Sequence, residues 1–365
     1  MAIFLANKNA SKMSKKDVTY CKESQIGLQI RMAKTLERVR ANSSLLNTPL
    51  CLLALQIKGS LAEECIQIVR EELKIKGINF HFHFWISDDW FCADGIPGIA
   101  LPFYLFNKEI SKLEKERIGF IEGSTKIECL KLIRHEVGHA IDNAYNLRNC
   151  QERENLFGRS SLKYPKDYIR KPFSKNYVKH IRENYAQAHP DEDWAETFAV
   201  WLDPKSNWKE KYKNWKALEK LNYVDKTMKS IRGKRPLLKN KDTVDEISTL
   251  GITLRTYLSR KEKIKSKYKA PIFGKNLSKV FSPGRKNNAL SFITLNEREL
   301  CIRVAKNTNQ YHYIVRDVLK ELKGECRDKS LTLKMPISQT RETLIQLLSK
   351  STLHYVKQGK NKVIM

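Results

Sequence analysis

The sequence predicts an α+β fold, and three observations predict it. Apolar residues recur at helical spacing over 61–74, 130–145 and 194–202, while Ile78–Ile86 alternates as a strand does. At 365 residues and 41% hydrophobic, the chain is long and apolar enough for two or three domains and is not a disordered polymer. Composition and punctuation predict four parts. These are a basic, helical N-terminal segment (1–48), a main domain (49–228), a basic linker (229–288) and a small α/β domain (289–365).

Residues 1–22 are polar and basic, and Gln25–Leu46 reads as a helix broken by Pro49. Leu61–Lys74 places Leu61, Cys65, Ile68, Val69 and Leu73 on one face and ends before Gly77. His81 and His83 share a face of the strand Ile78–Ile86, where a half-exposed strand face is a simpler reading than a metal site. Asp94-Gly95 and Pro97-Gly98 mark turns. Ile99–Phe106 then reads as an extended segment with an edge-favouring Pro102, able to pair with an extended peptide. Lys108–Arg117 is a charged helix. Thr125 or Ser124 caps the next one, with Glu128 completing a capping box if Thr125 is the cap.

That next helix, Leu130–Tyr145, carries the chemistry. Leu130, Ile133, Val137, Ile141 and Ala144 form its apolar face, and His135, His139 and Asp142 fall roughly opposite. His135, Glu136 and His139 spell H-E-x-x-H, whose i, i+4 spacing sets two imidazoles one turn apart on one face. Two neutral imidazoles so placed hold a divalent cation, with zinc favoured by the ligand type. Glu136 lies where a carboxylate accepts a proton from activated water. Gly138 costs about 1 kcal/mol of helix propensity, but lets another backbone approach closely.

Two histidines leave such a site one ligand short. A third histidine six residues on is excluded, because that position is Tyr145. Asp142 sits close along the same helix and suits orienting a histidine better than ligation. Cys150–Ala188 reads as loops and short helices, after which Pro190–Leu202 begins with Asp191, Glu192 and Asp193. Glu192 and Glu196 point the same way at i, i+4, so one suits ligation and the other suits holding a histidine's second ring nitrogen. Tyr185 and His189, just before this helix, are candidate donors to a developing oxyanion.

H-E-x-x-H followed by E-x-x-A-E-x-F-A resembles the gluzincin metallopeptidases. That resemblance implies a zincin-like domain built around the H-E-x-x-H helix. It implies zinc on His135, His139 and Glu192, Glu136 as the base, and Glu196 supporting a histidine. The D-W-A-E register also allows Glu196 as the third ligand. The blocks WFCADGIPGIALPFYL, LIRHEVGHAIDNAY, YAQAHPDEDWAETFAVWL and LEKLNYVDKTM, within Leu53–Met228, resemble a bacterial family named putative zinc-binding metallopeptidases. The resemblance implies a zinc-dependent hydrolase acting on peptides or proteins. Some relatives carry an N-terminal zinc ribbon, for which this chain has no cysteine pairs.

The rest of the chain speaks to partners and place. The formal net charge is +28, and residues 226–286 hold 18 Lys and Arg against 4 Asp and Glu. A run so basic predicts a nucleic-acid contact through 226–286. No segment approaches the ~18 apolar residues of a membrane span, and the N-terminus lacks a signal-peptide core. The eight cysteines form no C-x-x-C pair and read as reduced thiols of a cytoplasmic protein. In 289–365, Phe292–Leu295, Leu300–Val304 and Leu331–Met335 read as strands, Tyr355–Ile364 as a terminal strand or hairpin, and Tyr313–Leu322 and Thr340–Leu348 as helices.

Overall fold

A computed structural model describes residues 43–268, 272–284 and 288–364. Most of the expected helix Gln25–Leu46 lies outside the described residues, of which 43–47 are helical. The chain forms two compact units, one of 1–54 with 248–260 and one of 55–247 with 261–365. In the first, the Leu50 and Cys51 N–H groups donate to the Ile252 and Leu250 carbonyls at 2.9 and 3.1 Å, and Leu254 N–H returns to Thr48 at 3.0 Å.

The second unit opens with α1 (Leu61–Ile75), capped by Ser60, whose hydroxyl accepts from the Glu63 N–H. Its buried stripe of Ala62, Cys65, Ile66, Val69 and Leu73 has the helical spacing expected. β1 (His83–Ser87) and β2 (Gly98–Pro102) pair in parallel, His83 opposite Gly98. The imidazole of His83 lies over Gly98, where a Cβ would come within 2.3 Å of the ring. His83 also bonds the Asp242 carbonyl at 3.0 Å and stacks on Trp85.

β2 is not an open edge. Ala100 donates to the Phe91 carbonyl at 2.8 Å on the side away from β1, and Ile99, Ala100 and Leu101 are fully buried. The apolar run is covered on both faces, as a continuous apolar strand requires, so the expected docking of an extended peptide along Ile99–Leu101 has no free edge to use.

α2 (Lys108–Ile118) is capped by Asn107 and closed by Gly119 at φ 85°. α3 (Lys126–Tyr145) follows and is the central helix, buried almost continuously from Ile133 to Tyr145. Thr125 is its cap, accepting from the Glu128 N–H at 3.3 Å, while Arg182 takes the Glu128 carboxylate. After α4 (Gln151–Phe157), the two-residue β3 (Asp167–Tyr168) and a 3₁₀ stretch (Arg182–Gln187) come α5 (Pro190–Leu202), α6 (Trp208–Lys211) and α7 (Ala217–Ser230). α5 lies between α3 and α7, fastened to the latter by Trp201 on Asp225 (2.9 Å) and Lys220 on Asp193 (2.5 Å).

Residues 229–288, expected as a linker, carry structure of their own. Leu237 and Leu238 donate to the Ala144 carbonyl at the end of α3. The Val244 and Asp245 carbonyls accept from Trp85 and Ser87 at 2.8 and 2.7 Å. The segment then holds α8 (Leu254–Tyr268) and β4 (Phe281–Pro283).

The C-terminal part is helical rather than α/β. α9 (Asn288–Leu295) and α10 (Glu297–Thr308) replace the expected strands Phe292–Leu295 and Leu300–Val304. Leu300, Cys301, Val304, Ala305 and Thr308 are buried, an i, i+1, i+4, i+5, i+8 set that belongs to a helix. α11 (His312–Asp328) and α12 (Ile337–Lys357) contain the two expected helices and complete the apolar core with Val315, Val318, Leu322, Leu344 and Leu348. β5 (Leu331–Leu333) pairs antiparallel with β4. The expected strand Tyr355–Ile364 shrinks to β6 (Val363–Ile364), because α12 runs on to Lys357. β6 pairs antiparallel with β3. Among the described residues no helix is long and apolar enough to cross a membrane.

Candidate metal centre

α3 and α5 build the centre between them. The α3 histidines project toward α5 because Gly138 lets Ala195 press against the helix backbone. A Cβ at Gly138 would stand 3.0 Å from the Ala195 Cα. α5 starts where it does because Pro190 takes its first position, with the acids Asp191, Glu192 and Asp193 in the first turn.

Across this contact His135 Nε2, His139 Nε2 and Glu192 Oε2 form a triangle with edges of 3.2, 3.3 and 3.0 Å. The three residues are the His/His/Glu group able to hold a metal ion among the described residues, and all are buried. Zinc bound tetrahedrally at about 2.0–2.1 Å sets neighbouring ligand atoms about 3.3 Å apart, so the triangle fits that ion in size as well as in donor type.

Glu196 stands behind His135 rather than in the triangle. Its Oε1 lies 3.0 Å from His135 Nδ1, and its Oε2 accepts the Ile181 N–H at 2.9 Å. A carboxylate at Nδ1 holds the proton there and leaves the Nε2 lone pair facing the triangle. The Ile181 donor is itself fixed by a reciprocal pair, Lys131 Nζ to the His180 carbonyl (2.9 Å) and His180 Nε2 to the Lys131 carbonyl (3.0 Å).

The electrostatics suit a cation. Burial opposes charge on His135, but hydrogen bonds to Glu192 and Glu196 outweigh it and raise its pKa well above the ordinary value. Burial also opposes ionisation of Glu192, yet His139 and His135 hold its pKa well below the usual carboxylate range. Glu136, next to His135 and 6% exposed, is pushed up by burial against the pull of the two histidines, which makes it a stronger proton acceptor when ionised.

The remaining expected residues divide. The Tyr185 ring sits 5.6 Å from that of His135, and burial with the nearby Glu192 and Glu136 charges keeps its phenol protonated. His189 is not available as an oxyanion donor. Its Nδ1 accepts the Asp191 N–H (3.2 Å), so its Nε2 carries the proton and donates to the Leu162 carbonyl (2.8 Å). It caps α5 instead. Asp142 does not orient a histidine, because Arg153 grips both its oxygens at 2.7 and 2.8 Å and Arg148 adds a third bond at 2.9 Å.

Two contributors gave no sequence signal. Tyr164 donates to Glu192 Oε1 at 2.9 Å while stacking on His189, and so fixes which Glu192 oxygen faces the histidines. Arg153, 1% exposed, joins Asp142 of α3 to Asp191 of α5, and its guanidinium lies over Trp194. Arg153 sits on the two-turn α4, too short to show a periodicity, and Tyr164 in the irregular chain after it. Before Tyr185, Glu183 and Asn184 adopt consecutive left-handed conformations (φ 59° and 58°). Asn tolerates this readily, while Glu183 stores about 1 kcal/mol of strain.

Residues 115–254, which include every residue of this site, match a family model described as "Putative zinc-binding metallo-peptidase". This is the family that the sequence blocks resemble. No curated protein and no solved structure matches the chain.

Proposed function

We propose that the chain carrying this family segment is a zinc-dependent peptidase that hydrolyses peptide bonds in a peptide or protein substrate. The observation that carries the reading is the triangle of His135, His139 and Glu192, with Glu136 beside it. When bound there, zinc would supply Lewis acidity, polarising a peptide carbonyl and lowering the pKa of a water toward ~7.

The protein's own groups do the rest. His135, His139 and Glu192 hold the cation, and Glu196 fixes the His135 tautomer. Glu136 takes the proton of the attacking water on its carboxylate and delivers it to the departing amine. Its raised pKa supports both halves of that transfer. Tyr185 donates its phenolic hydrogen to the carbonyl oxygen as negative charge develops there.

The test is zinc content and turnover of a mixed peptide library in wild type and Glu136→Gln. The variant should keep zinc at wild-type stoichiometry and lose about 10²–10⁴ of the rate. Full activity in Glu136→Gln, or a wild type that takes no zinc after add-back, would overturn the reading.

A second reading concerns the substrate. The excess of 18 Lys and Arg over 4 acids in 226–286 favours an anionic partner, so that the substrates would be proteins bound to nucleic acid. Retention on an immobilised polyanion that falls steeply with salt would support it; no retention at low salt would end it.

A further inference from the structure

The long connection between α4 and α5 carries both site tyrosines, and its outer side is tied to the C-terminal part of the chain. We infer that α11 and β6 brace this active-site loop, and that Arg170 is its central positioning residue. The inference rests on the reading of the triangle as a zinc site.

Tyr164 and Tyr185 bracket the loop and face the triangle, one on Glu192 and the other against His135. Between them lie the two residues of β3, the reciprocal bonds of Lys171 with Gln187 (2.7 and 3.0 Å) and the left-handed pair Glu183–Asn184. A long irregular segment with a strained turn takes its position in part from contacts outside itself.

The support comes from outside. The Arg170 guanidinium donates to the Glu183 carboxylate and, at 2.5 Å, to Asp317 Oδ2 on α11. It thereby links the strained turn directly to a helix of the C-terminal core. Tyr168 is buried, and its hydroxyl donates to the Glu183 carbonyl at 3.1 Å, so the same residue is gripped at its backbone and its side chain. The β3 backbone pairs with β6, Asp167 opposite Ile364 and Tyr168 opposite Val363, and Lys362 Nζ reaches Asp167 at 2.9 Å.

A cavity of about 350 Å³ persists in this joint, lined by Arg170, Glu183, Asp317, Lys320, Tyr355 and Lys362 among others. The joint is therefore held by charge and a short strand pair rather than by close apolar packing. Such a contact sets a loop's position at small cost to global stability. The C-terminal part lies outside the segment that the family model matches.

The test compares zinc-loaded full-length wild type with Asp317→Asn, Asp317→Asn/Val363→Pro and the conservative Arg170→Lys. Two rates are read, amide hydrogen exchange over 164–188 and zinc transfer to a chromogenic chelator. Breaking the joint should speed exchange over 164–188 by about tenfold or more while α3 and α5 keep wild-type protection. Zinc transfer should quicken severalfold, because Tyr164 loses its hold on Glu192. Arg170→Lys, which keeps the charge, should fall between wild type and the double variant. Unchanged exchange and transfer in the folded double variant would overturn the brace. If wild type takes no zinc, the peptidase reading fails alone, and the exchange rates still decide the brace.

Discussion

The indole N–H of Trp194 donates to the backbone carbonyl of Gly138 at 2.9 Å, so the residue within H-E-x-x-H that has no side chain is also the residue α5 grips. The two helices approach at this point, and the approach delivers Glu192 to His135, three residues before Gly138, and to His139, directly after it.

Gly138→Ala should therefore trade helix propensity against the site. Alanine gains about 1 kcal/mol in a helix interior, while overpacking a close contact costs about 1–3 kcal/mol. The atoms met are the Ala195 Cα at 3.0 Å and its carbonyl oxygen at 3.2 Å, which are backbone and do not swing aside, and the Phe198 ring at 3.1 Å. We expect near-normal melting but zinc affinity reduced about tenfold or more, read by chelator competition. Wild-type affinity with raised stability would show that the helix approach does not set the triangle.

The two glutamates of α5 should separate by metal content. Glu192→Gln should lose stoichiometric zinc, whereas Glu196→Gln should still fill at excess zinc with an affinity about 10–100-fold lower. Titration of both against a chelator decides it, and the reverse order would make Glu196 the ligand.

Asp142→Asn should act on stability and not on the metal. It removes the charge and one of the two acceptor oxygens that the Arg153 guanidinium, 1% exposed, uses, and leaves Asp191 at 3.5 Å as its carboxylate partner. Breaking a buried pair on one side costs about 3–5 kcal/mol. Thermal unfolding should shift down by several degrees with zinc stoichiometry intact. A melting curve that overlays wild type would remove the arginine clamp from the account.

Glu114 should give stability a slope with pH. Burial lifts its carboxyl above the ordinary 4.5, against the pull of Lys261, which donates to one oxygen at 2.8 Å. The other oxygen is buried without a hydrogen bond. The folded state thus keeps a proton that the unfolded chain releases. The resulting stability is full below the unfolded value and is lost as pH rises through the folded one. Glu114→Gln should flatten that decline, seen in urea midpoints at mildly acidic and neutral pH. Curves parallel to wild type throughout would exclude it.

The sequence made the α3–α5 pair legible because both helices carry strong local signals. Thr125 is the cap expected, Pro190 opens α5, and the i, i+4 pairs His135–His139 and Glu192–Glu196 fix their faces. What it left open was decided by contacts distant in sequence. Glu192 and Glu196 have the same local chemistry, and only the seating of α5 on Gly138 turns one to the triangle and the other to His135 Nδ1. Tyr164 was invisible because its place follows from a stack on His189. The strands expected at 292–295 and 300–304 failed for a different reason: short apolar runs suit either structure, and the choice fell to a core shared with α11 and α12.

The His83 ring seated over Gly98 has a consequence for assembly. Parallel strands slip in steps of about 3.3 Å, and each single step turns every side chain to the opposite face. One step would bring Pro97 or Ile99 beneath an imidazole that leaves no space even for a methyl group. Asn143 of α3 donates to the Ile96 carbonyl at 3.0 Å, two residues before Gly98, so the central helix docks only onto a correctly aligned strand. The bare glycine thus selects the register: a chain paired out of frame can neither seat its histidine over the partner strand nor receive the helix that carries His135 and His139.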